Sequence, residues 1–230
     1  MRKTLLIVSL IAAFSLGVDA QTKENRFGVK VGPTLDWASA GSTAAHNDGL
    51  RLGFNVGLVY DHYFTSNIAV SSGVNLSYLR MKYTFTDRRF VDDFLEKANV
   101  SVSRRLKTTN VEIPLKAKLR FDVLDLFAAY VEAGGALGFN VRDLAKDSYS
   151  FYWVSSDDET YVDRTDQYRL LQLSMVFGLG AEYEISHNLS AFAQLTFDHS
   201  FSNAFVGSLE KLTGSVLRSN YAGLEVGVMF

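Results

Sequence analysis

Val111-Glu112-Ile113-Pro114-Leu115-Lys116-Ala117-Lys118-Leu119-Arg120-Phe121 alternates apolar with polar residues without a break. Successive side chains of a β-strand point to opposite faces. Val111, Ile113, Leu115, Ala117, Leu119 and Phe121 therefore share one face, and Glu112, Pro114, Lys116, Lys118 and Arg120 the other. A helical period would scatter both sets around one cylinder. The run also suffices for a tilted strand to cross a bilayer, which takes about 9–11 residues. Pro114 cannot donate to a ladder and normally marks an edge; in a closed sheet it is expected at a bulge.

The same period recurs seven times. Phe27, Val29, Val31, Leu35 and Trp37 oppose Gly28, Lys30, Gly32, Thr34 and Asp36. Leu52, Phe54, Val56, Leu58 and Tyr60 oppose Arg51, Gly53, Asn55, Gly57 and Asp61, and Ile68 to Tyr78 continues in the same way. Four further alternations cover residues 127–141, 171–183, 189–197 and 224–230. The expectation is an all-β protein, an eight-stranded antiparallel transmembrane β-barrel with up-and-down meander order.

Composition agrees by exclusion. The 230 residues hold 23 Lys+Arg against 25 Asp+Glu, and a net charge of −2 leaves no basic excess for nucleic acid. The absence of cysteine removes disulfides, thiolate metal sites and cysteine nucleophiles. With 47% hydrophobic residues the chain is no disordered polymer. Residues 1–20 read as a secretory signal peptide: Arg2 and Lys3, an apolar stretch from Thr4 to Leu16, then Val18-Asp19-Ala20 at the cleavage site. An uncleaved anchor is the alternative, although the apolar stretch is short for a spanning helix. The barrel domain is expected over residues 21–230.

The links alternate in length. Residues 61–67, 122–126 and 186–188 make short links; 38–50, 84–110, 142–168 and 202–219 make long ones. All long links then fall at one end, as in outer-membrane barrels with short periplasmic turns and long outward loops. An even strand number puts both termini on the periplasmic side. A soluble lipocalin-like carrier has the same period with the apolar face inward. Against it stands the charge on the other face: Lys30, Arg51, Glu112, Lys116, Lys118, Arg120, Glu132, Glu182 and Glu225. Aromatics also gather at the strand ends, with Trp37, Tyr78 and Phe139 at one end and Phe27, Tyr60, Phe121, Phe127 and Tyr183 at the other.

Phe27-Gly28-Val29-Lys30-Val31-Gly32, Val111 to Lys116, Gly134-Gly135-Ala136-Leu137-Gly138 and Gly178-Leu179-Gly180-Ala181-Glu182-Tyr183 resemble the outer-membrane β-barrel family often labelled "porin family", common in Bacteroidetes and so Gram-negative. The resemblance implies a location in the outer membrane, and a terminal Phe230 read by the barrel assembly machinery. PorT-like secretion accessories share this barrel class.

Eight strands enclose room for side chains or one small ligand, whereas open pores use 16 or more. The inward charges are thus expected to pair: Lys116 and Lys118 with Glu132, and Lys30 with Glu225. No catalytic residue, cofactor or metal is expected. His46, His62 and His187 fall in links. Asp198-His199-Ser200-Phe201-Ser202-Asn203 resembles the His-x-Ser-Asn stretch of outer-membrane lipid A deacylases, but neither serine shares a face with His199 in a regular strand. Asp157-Asp158-Glu159 lacks the spacing of a calcium loop.

In residues 84–110, Phe90, Phe94 and Leu95 stand at helical spacing among Arg88, Arg89, Asp92, Asp93, Glu96 and Lys97, which suggests a short amphipathic turn. Arg104, Arg105 and Lys107 form a basic cluster that could meet lipopolysaccharide phosphates or be ordinary surface charge. Tyr149, Phe151, Tyr152, Trp153 and Tyr161 suggest a strand ribbon above the membrane, whose edge a protein could use. The expected function is that of a small non-catalytic outer-membrane barrel with long loops as an interaction surface. Its expected partners are outer-membrane lipid and lipopolysaccharide, the assembly machinery during biogenesis, and an envelope or secretion protein.

Overall fold

The computed structural model describes residues 25–40, 45–91, 96–151, 154–158, 160–186, 188–204 and 217–230. The expected leader 1–20 and the side chains of Arg88, Arg89, Phe90, Asp92, Asp93, Phe94, Leu95, Glu96, Lys97, Phe151, Tyr152, Trp153, Asp157, Glu159 and His187 lie outside the described residues. The strands are β1 (Asn25–Ala40), β2 (Ala45–Asn47), β3 (Arg51–Tyr63), β4 (Ile68–Val91), β5 (Glu96–Leu124) and β6 (Phe127–Phe151). They continue with β7 (Val154–Asp157), β8 (Val162–Asp163), β9 (Leu171–Ser186), β10 (Leu189–Ser200) and β11 (Leu217–Met229). Eight of them close an antiparallel barrel in meander order, β1-β3-β4-β5-β6-β9-β10-β11, with β11 returning to β1. The short strands β2, β7 and β8 pair on the outer reaches of β4 and β6.

Closure brings the last residue against the first strand. The Phe27 N–H donates to Phe230 O at 3.3 Å and the Phe230 N–H to Phe27 O at 2.6 Å. No backbone edge is left at this seam, which a wall in lipid requires.

Polarity runs inside out through the middle of the barrel. Val29, Val31, Leu58, Ile113, Leu115, Leu137, Leu179 and Leu195 are exposed on the outer wall, Leu115 by 64%. Lys30, Asn55, Ser71, Glu112, Lys116, Lys118, Glu132, Glu182, Gln194 and Glu225 are buried inside. Among the described residues no helix is long and apolar enough to cross a membrane, so any crossing falls to these strands. Phe27 and Tyr60 stack with ring centroids 4.8 Å apart at the short-turn end, and Trp37 and Phe197 lie 6.0 Å apart toward the other.

The strands β4, β5 and β6 overshoot this band. β5 has 29 residues, or about 95 Å at the usual rise per residue. The β4–β5 ladder runs without a register shift up to Val91↔Glu96. The region expected as a long loop with a helical turn is therefore strand almost to its tip, and the residues around Phe90 are extended. At Phe90 cross-strand hydrogen bonds outweigh the helical spacing; Phe94 and Leu95 lie outside the described residues.

Polarity also inverts along these strands. On β4, Val74, Leu76 and Tyr78 face out while Ser71, Asn75 and Ser77 face in; beyond Tyr78 the outward residues are Arg80, Lys82 and Thr84, and the inward ones Leu79, Met81, Tyr83 and Phe85. The overshooting ribbon is thus polar outside and apolar inside, like a water-soluble sheet. The apolar outer wall ends where the sign changes, at Tyr78 and at Val111 on β5.

Two further local features differ from strict alternation. Thr109↔Arg142 and Asn110↔Asn140 make Val141 a bulge, so that Asp143, Ala145 and Asp147 turn inward and Arg142, Leu144 and Lys146 outward. Pro114 lies in no bulge: the β4–β5 register is the same on both sides of it, and the ladder only skips the Gly73–Val74/Ile113–Pro114 positions. The Pro114 carbonyl is met locally where the ladder is skipped. Ser72 Oγ donates to Pro114 O at 2.8 Å, and Gly73 opposite takes φ +154°.

Candidate functional site

The inward charges form a connected network. At its centre the fully buried Glu225 accepts hydrogen bonds from Lys30 Nζ (2.9 and 3.1 Å), Asn55 Nδ2 (2.8 Å) and Thr196 Oγ1 (3.0 Å), and from the Gln194 amide. Lys116 pairs with Glu132. Lys118 does not meet Glu132; its Nζ lies 2.7 Å from Asp61 and 2.6 Å from Glu182, over the Tyr130 ring at 4.1 Å. Glu182 also takes Arg26 at 2.8 Å, and Tyr130 OH donates to Gln194 at 2.8 Å.

Two positions of the expected lumen set stand elsewhere. Arg51 is exposed, because it opens β3 at the long-hairpin rim. Arg120 is 26% exposed near the short-turn end, between Asp122 at 3.3 Å and Glu182 at 3.8 Å. Arg26, Asp61, Asp198 and Tyr130 join the interior although sequence reading did not single them out. Their signal was parity alone, since each sits on the polar face of its strand. Ser174 donates to Asp198 at 2.7 Å, and Tyr221 to Glu112 at 3.1 Å.

Above the band, the open end is filled by an apolar cluster of Ala38, Met81, Tyr83, Phe85, Val102, Leu106, Ala145, Tyr168, Ala204 and Leu217. Arg104 passes through it. Its guanidinium donates to both Asp147 oxygens at 2.6 Å and to Gln167 at 2.8 Å, and it lies 5.2 Å from the Phe85 ring. Burial opposes the Arg104 charge, but the Asp147 hydrogen bonds outweigh it and raise the pKa above the ordinary arginine value. Burial pushes the hydroxyls of Tyr83 and Tyr168 up, and the two share a hydrogen bond. Arg104 of the expected basic cluster is therefore internal; Arg105 and Lys107 face out.

Asp143 anchors the returning chain to β6. Its N–H donates to Thr165 Oγ1 at 3.0 Å, its carbonyl accepts from Arg164 N–H at 2.9 Å, and its carboxyl accepts from Thr108 at 2.6 Å and from Asn140. Burial pushes this carboxyl up to about 6 from an ordinary 3.8. A raised acid binds its proton more tightly when folded. Its stabilisation is complete below about pH 4 and is lost as pH rises through about 6, by up to about 3 kcal/mol. Hydrogen exchange across residues 143–168, corrected for its intrinsic rate, should be slower at pH 5 than at pH 7. Asp143→Asn should remove most of that difference; an unchanged difference would place its origin elsewhere.

Among the described residues, His199 forms no hydrolytic pair with Ser200 or Ser202. The β9–β10 register is regular through His199↔Met175 and Ser200↔Ser174, so no bulge brings the two side chains to one face. His199 stacks edge-on with Phe201 at 5.7 Å, while Ser202 accepts from the Leu173 N–H at 2.8 Å. His62 contacts Asn25 at 2.9 Å, and His46 is exposed. Of the aromatic loop candidates, Tyr149 packs on the apolar cluster and donates to Asp147 at 3.3 Å. Tyr161 is 37% exposed under Lys107, whose Nζ lies 3.9 Å from the ring centroid. Phe151 ends β6. Among the described residues no group of three or more metal-binding side chains occurs.

A family model described as outer membrane protein beta-barrel domain matches residues 19–206. No curated protein matches the chain. Among solved structures the chain is similar to Neisserial surface protein A, at 13% identity over 88% of this chain and 95% of that one, with a TM-score of 0.43. It is similar to OprG from Pseudomonas aeruginosa at 10% identity over 90% and 97%, with a TM-score of 0.42. The outer membrane protease OmpT from Escherichia coli gives 10% identity over 92% and 99%, and a TM-score of 0.36.

Proposed function

The chain belongs to the outer-membrane β-barrel family, and from that membership we propose that it is a non-catalytic, non-conducting barrel whose overshooting ribbon is an outward interaction surface. Its place is the outer membrane. One observation carries the reading. The charged face is turned inward and consumed in pairing, Lys30 with Glu225, Lys116 with Glu132 and Lys118 with Asp61 and Glu182, while an apolar cluster fills the end above. Among the described residues, what remains available for recognition is the outside of the β4–β5–β6 ribbon. Residues 1–20 act in this reading as the export leader, and Phe230, hydrogen-bonded to the first strand, as the residue read in assembly.

The absence of native cysteine makes the orientation directly testable. Ser101 is exposed on the ribbon. Ser101→Cys should react with a membrane-impermeant maleimide in intact cells to the same extent as in lysed cells. Labelling only after lysis would turn the ribbon to the periplasm and overturn the reading.

A further inference from the structure

The outer face of the ribbon carries a row of cations in register. Lys82 on β4 stands opposite Arg105 on β5, and Arg105 opposite Lys146 on β6. One step closer to the apolar band, Arg80 stands opposite Lys107. All five side chains lie on the outward parity of their strands. Neighbouring strands are about 4.8 Å apart, and like charges placed directly opposite repel. Among the described residues, Asp48 lies 3.5 Å from Lys82 Nζ and is also bound by Thr84 and Ser103, Asp163 lies 3.6 Å from Arg142 at the flank, Lys107 sits over the Tyr161 ring, and Lys146 has a contact of its own. The whole chain is net negative, so a positive patch here is a local departure.

Its height is informative. Arg80 is the next outward residue after Tyr78 on β4, about 7 Å along the strand from the last lipid-facing aromatic. With the ribbon outward, as proposed above, that level falls in the headgroup layer, where outer-leaflet lipopolysaccharide carries its phosphates. A soluble polyanion would have no reason to be met at this height or on the membrane-flanking face. The opposite wall carries Phe197, His199 and Phe201 at its outward positions near the same end.

We propose that Arg80, Lys82, Arg105, Lys107 and Lys146 bind the phosphate groups of the lipopolysaccharide packed against the β4–β5–β6 wall. A bisphosphorylated lipid A spans two rows of cations, and charge-assisted contacts of this kind are strong at a membrane surface. The site deepens the reading of the ribbon as a recognition surface and names its partner.

The test uses the full chain in nanodiscs of phosphatidylcholine doped with bisphosphorylated lipid A or with its dephosphorylated form. Lipid A carried through detergent extraction is counted per protein by mass spectrometry. Wild type should retain the phosphorylated lipid, and Lys82→Gln/Arg105→Gln/Lys146→Gln should retain about tenfold less or lower still. A boiling-dependent shift in gel mobility should persist in the triple variant, showing an intact barrel. Arg105→Lys alone should keep most of the retention, because the charge is kept. Equal retention by the triple variant, equal retention of the dephosphorylated lipid, or displacement by inositol hexaphosphate at equal affinity would each overturn the proposal. Nanodiscs expose both faces of the membrane, so this result does not depend on orientation in the cell, and the maleimide experiment fails or succeeds separately.

Discussion

Glu225→Leu is expected to destabilise the barrel by about 3–5 kcal/mol, because it leaves the Lys30 ammonium buried without its counter-ion. Lys30 is 5% exposed and Glu225 fully buried, so water does not replace the lost carboxylate. Asn55, Gln194 and Thr196 would lose their shared acceptor at the same time. The double variant Lys30→Met/Glu225→Leu should recover most of the loss, since a buried pair replaced by apolar side chains of similar volume is often near neutral. Urea titration of the refolded protein in detergent measures both, and the difference between the single and double variants is the coupling of the pair. A double variant as unstable as the single would show that the polar neighbours, and not the ion pair, set the cost.

Lys118→Met is expected to cost as much or more, at the upper end of about 3–5 kcal/mol. Here one cation serves two buried carboxylates, Asp61 at 2.7 Å and Glu182 at 2.6 Å. Glu182 keeps Arg26, whereas Lys118 is the cation paired with Asp61 among the described residues. The loss should be local. Amides of β3, β5 and β9 near the short turns should exchange faster, while those of the Met81–Tyr83–Leu106 cluster at the far end keep their protection. Adding Asp61→Asn should return part of the stability. Unchanged protection around Asp61 would mean that this end of the lumen is solvated well enough to hold its charges without Lys118.

The polarity inversion on β4 and β5 was legible in the sequence and passed unread. Leu79, Met81, Tyr83 and Phe85 alternate as cleanly as the membrane segments do, but with the apolar set on the parity that is polar below Tyr78. Read by period alone, such a stretch extends the strand. Read by sign, it marks where lipid stops and where a soluble sheet begins. The Val141 bulge left no comparable mark, because one inserted residue changes parity without changing composition. It moves Lys146 to the outside, in line with Lys82 and Arg105.

The alternation in Val111 to Phe121 and its seven counterparts was enough to establish eight strands, their meander order, and which face carries charge. Each of those properties is decided two residues at a time, within reach of local sequence. Which charge meets which is decided only by closure. Lys118 stands directly opposite Glu132 in the register, yet Lys116 takes that carboxylate from beside Gly134, which has no side chain to intervene. Lys118 reaches instead to Asp61 on β3 and Glu182 on β9, each two strands away around the wall. A flat sheet would keep those partners about 10 Å off at the usual strand spacing. Curving the sheet into a narrow barrel folds them inward to within one lysine's length, and that proximity exists only once β11 has met β1.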